Sequence, residues 1–325
     1  MKRLATAAVV VAAGAAIVAP LFLKPFGIYL VSMWVVLSIA ALGLNLTLGY
    51  AGQVSLAQGA FVGIGAYTVA LLTQAGWPFA LAFVAAGALC FAIGWLLGYP
   101  ALRVQHHYLA FVTLAFTTLV FLVLRNEEWL TGGTYGINGI LRPALFGWPT
   151  ARPLNFYFFS LGVLVLLTLA QWQILRSPWG RAFVGLRENP VRAASLGVDT
   201  RRYTLMAFAI GSSLGGLSGA LYAPLVQFIE PNSFALGLSL NLLLMVIVGG
   251  SGYLFGPFIG ALVAVLLPEW MRVAQGYYLM LYAGLIIVMM TFCPSGLLGL
   301  VERFVTATSR SPVGAPAVSV EDTQP

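Results

Sequence analysis

Six arginines (Arg176, Arg181, Arg187, Arg192, Arg201 and Arg202) fall in one short stretch, against two acids, Glu188 and Asp199. Guanidinium groups at that density can bind an anionic lipid surface or a protein face, and clustered Arg between apolar runs marks a cytoplasmic loop. The stretch also carries helix signals. Ser177-Pro178 and Asn189-Pro190 each place Pro at a first helical position. Gly197 supplies a stop, and Asp199-Thr200 can cap whatever follows. The spacing predicts two short helices, with Arg181, Arg187 and Arg192 offering charge and Phe183, Val184, Leu186 and Leu196 an apolar face. Such a pair can lie on lipid or dock on a cytoplasmic protein, and the residues alone leave both open.

A second polar constellation surrounds a glycine-rich break, Gly49-Tyr50-Ala51-Gly52-Gln53-Val54-Ser55-Leu56-Ala57-Gln58-Gly59. Asn45, Gln53, Ser55 and Gln58 cluster there. Four hydrogen-bonding side chains beside an unwound helix are costly in lipid unless they face protein or a solute path. Asn45, Tyr50, Gln53, Ser55, Gln58 and, further on, Thr113 are therefore the candidate lining of a polar, uncharged path. A second break holds Gly249, Gly250, Gly252, Gly256 and Pro257. The helical starts Gly59-Ala60-Phe61-Val62-Gly63 and Gly256-Pro257-Phe258-Ile259-Gly260 are alike, either as a short internal repeat of the kind found in transporters or as chance recurrence of glycine. Gly211, Gly215 and Gly219, spaced four apart, are expected to serve close helix packing.

Other reactive groups are sparse. Cys90 and Cys293 lie in or beside apolar runs and suit packing rather than a disulfide or metal pair. His106-His107 has no carboxylate or Cys in support, so an interfacial role is expected for it over metal binding. Glu127, Glu128, Glu230 and Glu269 map to loops or outer ends, leaving the spans nearly free of ionisable side chains, unlike most ion-coupled carriers. No nucleophile–base pair is visible, which argues against an enzyme. A phosphate-binding loop needs Lys after Gly-rich backbone. The two lysines here, Lys2 and Lys24, stand in no such context.

The elements that must position these groups are membrane spans. The chain is 60% hydrophobic and 8% charged over 325 residues, with a mean hydropathy of +0.95. A soluble domain carries about 25% charged residues, so the bilayer is the solvent. The net charge of +7 then reflects topology, with no nucleic-acid partner. About 20 apolar residues cross a bilayer. That predicts an all-α integral membrane protein with about ten spans (8–10): 4–23, 27–48, 56–74, 79–98, 108–125, 154–175, 203–223, 235–249, 255–268 and 277–293. The first is too long for a signal peptide. Inner loops would hold Lys2, Arg3, Arg103, the 176–202 cluster, Arg303 and Arg310, and both termini would be cytoplasmic. Residues 1–305 form the membrane domain, with a cytoplasmic loop at 176–202 and an outer loop at 126–153. Residues 306–325, small, polar and Pro-containing, are expected to be disordered.

The motifs resemble those of permease subunits of ABC importers of the branched-chain amino acid type, over about residues 35–300. Gly180-Arg181-Ala182, Arg187-Glu188-Asn189, Ala193-Ala194 and Leu196-Gly197 resemble that family's coupling loop. Leu44-Asn45-Leu46, Gly49-Tyr50-Ala51-Gly52-Gln53, Ser55-Leu56 and Gly63-Ile64-Gly65-Ala66-Tyr67 resemble its first signature. Tyr108, Val112-Thr113-Leu114-Ala115-Phe116, Leu130-Thr131-Gly132-Gly133, Gly136, Gly219-Ala220-Leu221-Tyr222, Pro231, Ser233-Phe234 and the second break continue it. The chain departs from the pattern at Val191, where the general importer loop has Glu, at Arg192, where a small residue is usual, and at Gln58, where His is common. The match is to the longer, M-type subunit of a permease pair.

The resemblance implies two cytoplasmic ATPases that bind ATP and Mg, a second permease subunit and an extracytoplasmic solute-binding protein, in a bacterial inner membrane. No cofactor would be bound by this chain. Arg181, Arg187, Glu188, Asn189, Pro190, Arg192, Ala193 and Gly197 would couple to the ATPases. Thr131, Gly132, Gly133, Glu230, Pro231 and Ser233 would receive the binding protein. The solute would be a branched-chain amino acid or a related small amino acid, amide or organic acid. The alternative is a secondary transporter or channel for a small neutral or zwitterionic solute. Under the importer reading, reversing charge at both Arg187 and Arg192 abolishes uptake while membrane insertion, measured by fractionation, stays intact.

Overall fold

The computed structural model describes residues 14, 16–101, 106–145, 148–149, 152–271, 280, 284, 287 and 296–300. Residues 16–22 are helical (α1). The chain continues through α2 (Pro25–Leu44), which passes directly into a π-helical turn (Asn45–Tyr50), then α3 (Gln58–Gln74), α4 (Phe79–Ala101) and α5 (His106–Asn126). The segment between α5 and α7 holds α6 (Glu128–Thr131), a 3-10 turn (Gly133–Tyr135) and strands β1 (Ile137–Asn138), β2 (Ala144–Leu145) and β3 (Trp148–Pro149). Helices α7 (Pro153–Arg176), α8 (Pro178–Glu188), α9 (Pro190–Ser195) and α10 (Thr200–Val226) follow. Strand β4 (Phe228–Ile229), a 3-10 turn (Pro231–Phe234), α11 (Leu236–Gly249) and α12 (Gly256–Met271) complete the described elements.

Six helical segments among the described residues are long and apolar enough to cross a membrane: Pro25–Tyr50, Phe79–Tyr99, Leu109–Asn126, Pro153–Arg176, Thr200–Val226 and Pro231–Gly249. Gly256–Trp270 is a shorter apolar helix, and α3, at 17 residues, corresponds to the expected span 56–74. The expected spans 4–23 and 277–293 and the tail 306–325 lie wholly or mostly outside the described residues, so six spans stand where ten were expected. The all-α expectation also needs amending. Two small antiparallel ladders form, β1 with β4 and β2 with β3, because loops that leave the helical register still have to pair their backbone groups.

Burial separates centre from periphery. The most apolar stretch of α10 is 72% buried, that of α2 61%, and that of α7 only 17%. Helix α10 is central because it is narrow. Gly211 meets the Gly43 carbonyl of α2, Gly215 meets Phe61 of α3, and Gly219 meets the Val62 carbonyl of α3. Gly216 meets Cys90 of α4. On α4, Gly87, Gly94 and Gly98 face Leu217, Ser212 and Leu205 of α10 in turn. Lipid cannot drive helices together hydrophobically, so close backbone approach through small residues does it. The packing role expected of Gly211, Gly215 and Gly219 is what the geometry shows. Hydroxyls add cross-links: Ser218 Oγ donates to Val36 O (2.7 Å) and Ser213 Oγ to Gly87 O (3.0 Å).

Two aromatic-rich clusters fill the remaining space. One joins α2, α3, α11 and α12 through residues such as Leu44, Tyr67, Phe234 and Met245. The other joins α2 to α4 and α7 through Ile39, Phe79, Phe156 and Tyr157. Outward-facing Leu81, Val84, Leu96, Phe111, Leu119 and Leu166 are all more than half exposed, as lipid-facing side chains must be.

A methyl group at Gly219 would collide with helix backbone, which cannot move aside as a side chain can. Gly219→Ala is therefore expected to destabilise the fold by about 1–3 kcal/mol. Gly162→Ala, with nothing near its Cβ position, should be neutral. Thermal unfolding of both variants in detergent checks the contrast.

Candidate functional site

Helix α2 ends in a π turn, and π turns inside helices often accompany function. Widening the helix at Asn45–Tyr50 breaks the ordinary bonding ladder, and residues 52–57 then form neither helix nor strand before α3 begins at Gln58. Within that run Gly52 and Val54 are exposed, while Gln53, Ser55 and Ala57 are buried. The freed backbone groups find partners on other helices. Leu56 N–H donates to Thr113 Oγ1 of α5 (3.0 Å), and Leu56 O accepts from Thr117 Oγ1 (2.8 Å). Gly59 N–H, at the start of α3, donates to Ser239 Oγ of α11 (2.9 Å). Ser55 Oγ accepts from Ala57 N–H (3.3 Å).

The second break meets the first. Asn45, fully buried, donates through Nδ2 to Tyr253 O (2.9 Å) and accepts at Oδ1 from Gly252 N–H (2.9 Å). One side-chain amide thus satisfies two backbone groups of the turn between α11 and α12. Gly52 (φ +71°) and Gly252 (φ +87°) occupy left-handed backbone that only glycine adopts freely. Gly249, Gly256 and Gly260 let α11 and α12 fold tightly on each other. Gly250 lies against Gly296, and Pro257 is buried at the first turn of α12.

The polar residues expected along a path are thus largely engaged in holding helices together. Gln58 Nε2 donates to Ala40 O of α2 (2.9 Å) and Gly211 O of α10 (3.1 Å), so it clasps three helices. Thr113, besides its bond to Leu56, donates to Ala110 O (3.0 Å). Tyr50 is half-buried. Gln53 is 5% exposed, and its Oε1 has no hydrogen-bond partner among the described residues. Gln171 of α7, Ser239 of α11 and Thr117 of α5 were not singled out from the sequence. Of these only Thr117 carried a visible signal, its spacing of four from Thr113.

Between α7 and α10 the two expected helices form as α8 and α9, with the expected caps. Ser177 Oγ accepts from Trp179 N–H (3.2 Å), Asn189 Oδ1 from Arg192 N–H (3.0 Å) and Asp199 Oδ1 from Arg202 N–H (3.0 Å). Pro178 and Pro190 occupy first-turn positions, and Gly197 (φ +84°) ends α9. The apolar face divides. Phe183 and Leu186 are buried, whereas Val184, Val191 and Leu196 are exposed, Leu196 by 84%. Phe183 packs among Leu46, Ala51 and Ala207, so α8 is seated on the π turn and on α10. Gly180 allows α8 to turn back against the Leu175 carbonyl, and Ala193 is buried.

The arginines separate by role. Arg176 stacks on Trp172 (3.7 Å to the ring centre) and Arg201 on Tyr99 (4.5 Å). Such cation–π contacts hold both at the span ends. Arg187 Nη1 donates to Gly49 O, reaching into the first break. Arg181, Glu188 and Arg192 are exposed.

The structure brings the two expected docking segments together. Ile137 pairs with Ile229 and Asn138 with Phe228, which joins the stretch after Gly132-Gly133 to the stretch before Glu230. Thr131 Oγ1 donates to Leu124 O (2.7 Å) and lies 2.8 Å from Glu127 O, closing the end of α5. Pro231 is buried, while Glu230 and Ser233 are partly exposed. Arg142 lies 5.9 Å from the Phe156 ring centre, and burial pushes its pKa down. Trp129, Tyr135 and Leu141 are each more than 80% exposed around this surface.

Comparison with known proteins agrees with this architecture. The family model described as the branched-chain amino acid transport system / permease component matches residues 25–292. The high-affinity branched-chain amino acid transport system permease protein LivM of Escherichia coli K12 is 37% identical over 284 residues, covering 80% of this chain and 67% of that protein. LivM of Salmonella typhimurium LT2 is 35% identical over 303 residues, covering 86% and 71%. The autoinducer 2 import system permease protein LsrC of Enterobacter sp. strain 638 is 27% identical over 253 residues, covering 72% and 71%. No solved structure matches. A multi-pass helical chain with two interlocked breaks and a capped two-helix loop, matched along most of its length, belongs to the branched-chain amino acid transport system permease family.

Proposed function

We propose that this chain is one permease subunit of an ABC importer in a bacterial inner membrane, with both termini cytoplasmic. It would carry branched-chain amino acids or a related small amino acid, amide or organic acid. The observation that supports this most directly is the exposed surface of α8 and α9. Val184, Val191 and Leu196 are uncovered beside Arg181, Glu188 and Arg192, on a pair of helices each fixed by its own N-cap, Ser177 and Asn189. Helices held at fixed ends in this way present a surface of constant shape, which suits a protein partner of matching shape. Asn189, Pro190, Ala193 and Gly197 set that shape. The partner is an ATPase that binds ATP and Mg, one copy on each of two permease subunits.

Solute would pass beside the first break. Tyr50, Gln53 and Ser55 lie nearest, and the unpaired Gln53 Oε1 can accept a hydrogen bond from an ammonium or amide group. Asn45, Gln58 and Thr113 hold the backbone of that path open. The one charge named beside it, Arg187, is engaged by the Gly49 carbonyl, so the site binds solute loosely, and selection belongs to a binding protein landing on Thr131–Gly133 and Glu230–Ser233. ATP binding would draw the ATPases together, move α8 and α9, and switch the spans between inward- and outward-facing forms.

The test is affinity purification of this chain from its native membrane in mild detergent. Two phosphate-loop ATPases and a second permease are expected to co-purify. Recovery of the chain alone, transporting in liposomes without ATP, would overturn the importer reading in favour of a secondary transporter. Burying Val191 and Leu196 is worth about 1.5–3 kcal/mol each. Replacing both by Asp is therefore expected to weaken ATPase retention about a hundredfold or more, with the second permease still bound.

A further inference from the structure

Arg187 stands apart from the other loop arginines. Its backbone lies against Gly52, where a methyl group would meet Arg187 Cα at 3.1 Å. Its guanidinium donates to the Gly49 carbonyl and occupies the space a Cβ on Gly252 would need. Asn45 ties that same Gly252 to the π turn. One side chain therefore touches the cytoplasmic loop, the first break and the second break at once. Arg187 is exposed on its loop side, as Arg181 and Arg192 are; what sets it apart is this junction at its guanidinium end.

Helix α8 is thereby attached at two points. Phe183 anchors it in the apolar cluster with Leu46, Ala51 and Ala207, and Arg187 anchors it through a polar bond one helical turn further on. A single anchor would let α8 pivot without disturbing the spans. With two, any tilt of α8 pulls on the Gly49 carbonyl, the group in the π turn that leads into the Gly52–Leu56 run, where Gly52 and Val54 are exposed.

We propose that Arg187 is a positioning residue that transmits movement of the loop to both breaks, and that it does not serve as a contact to the ATPase. This rests on the importer reading above for the source of the movement. It divides the loop arginines into an outward set, Arg181 and Arg192, that holds the ATPase, and an inward one, Arg187, that carries its motion.

The test uses the purified full complex with Cys90 and Cys293 replaced by Ala and a single Val54→Cys reporter. Val54 is 43% exposed, two residues beyond Gly52. Maleimide labelling of that thiol is timed with and without ATP and Mg, and ATPase retention is measured on the same sample. Arg187→Ala should keep the ATPases bound and cut the ATP-dependent change in labelling about tenfold. Arg187→Lys, which keeps the charge, should restore part of the change. Arg192→Ala should shed ATPases and leave the response of each remaining complex intact. If Arg187→Ala instead sheds ATPases as Arg192→Ala does, with the labelling response per bound ATPase unaltered, the proposal is overturned. Absence of ATPases from the unmutated complex would count against the importer reading alone. The isolated chain still decides the matter, because freeing the Gly49 carbonyl must raise reporter labelling in Arg187→Ala, and an unchanged rate there also refutes it.

Discussion

Every backbone N–H and C=O inside a bilayer must be paired within the protein, because no water is there to take its place. The two glycine-rich breaks violate the simplest solution, an unbroken helix, and the rest of the molecule is arranged around repairing that violation. Asn45 repairs the turn between α11 and α12, Thr113 and Thr117 repair the non-helical run before α3, and Ser239 caps α3 from a different helix. Each repair is made by a side chain from elsewhere in the fold. The breaks are consequently the points where distant helices are tied together, and they cannot shift independently.

Glycine makes the ties possible. Because Gly211, Gly215, Gly216 and Gly219 strip one helix of side chains, α2, α3 and α4 crowd round α10 at backbone distance. That brings Gln58 within reach of carbonyls on two neighbours. A polar side chain buried this way is satisfied only if all three helices keep their places, so it reports on correct assembly as well as contributing to it.

Local chemistry was legible in the sequence, and tertiary meeting points were not. The loop helices announced themselves because Pro178, Pro190, Asn189 and Gly197 act on their own neighbours, and caps need no information from afar. Six of the ten expected spans were legible from apolar length and are met among the described residues. The sequence did place Asn45, Gln53, Ser55 and Gln58 at a break, yet it could not say that Asn45 would reach residues more than two hundred positions away. Nor could it show that Arg187 points inward while Arg192 points out, since both look alike as charges on a short helix. Phe183 and Leu186 were grouped with Leu196 as one apolar face, and only the seating of α8 on the π turn separated them.

The short ladder that pairs Ile137 with Ile229 has a mechanical consequence. It fastens the segment leading from α5 to the segment leaving α10, and Gln227, held at φ +63°, makes the sharp corner that allows it. Helices α7 and α10 are joined through the α8–α9 pair, which is seated by a few contacts. The two regions are thus fastened differently: by paired backbone at the β1–β4 ladder, and by the side chains of Phe183 and Arg187 where α8 meets the rest of the fold.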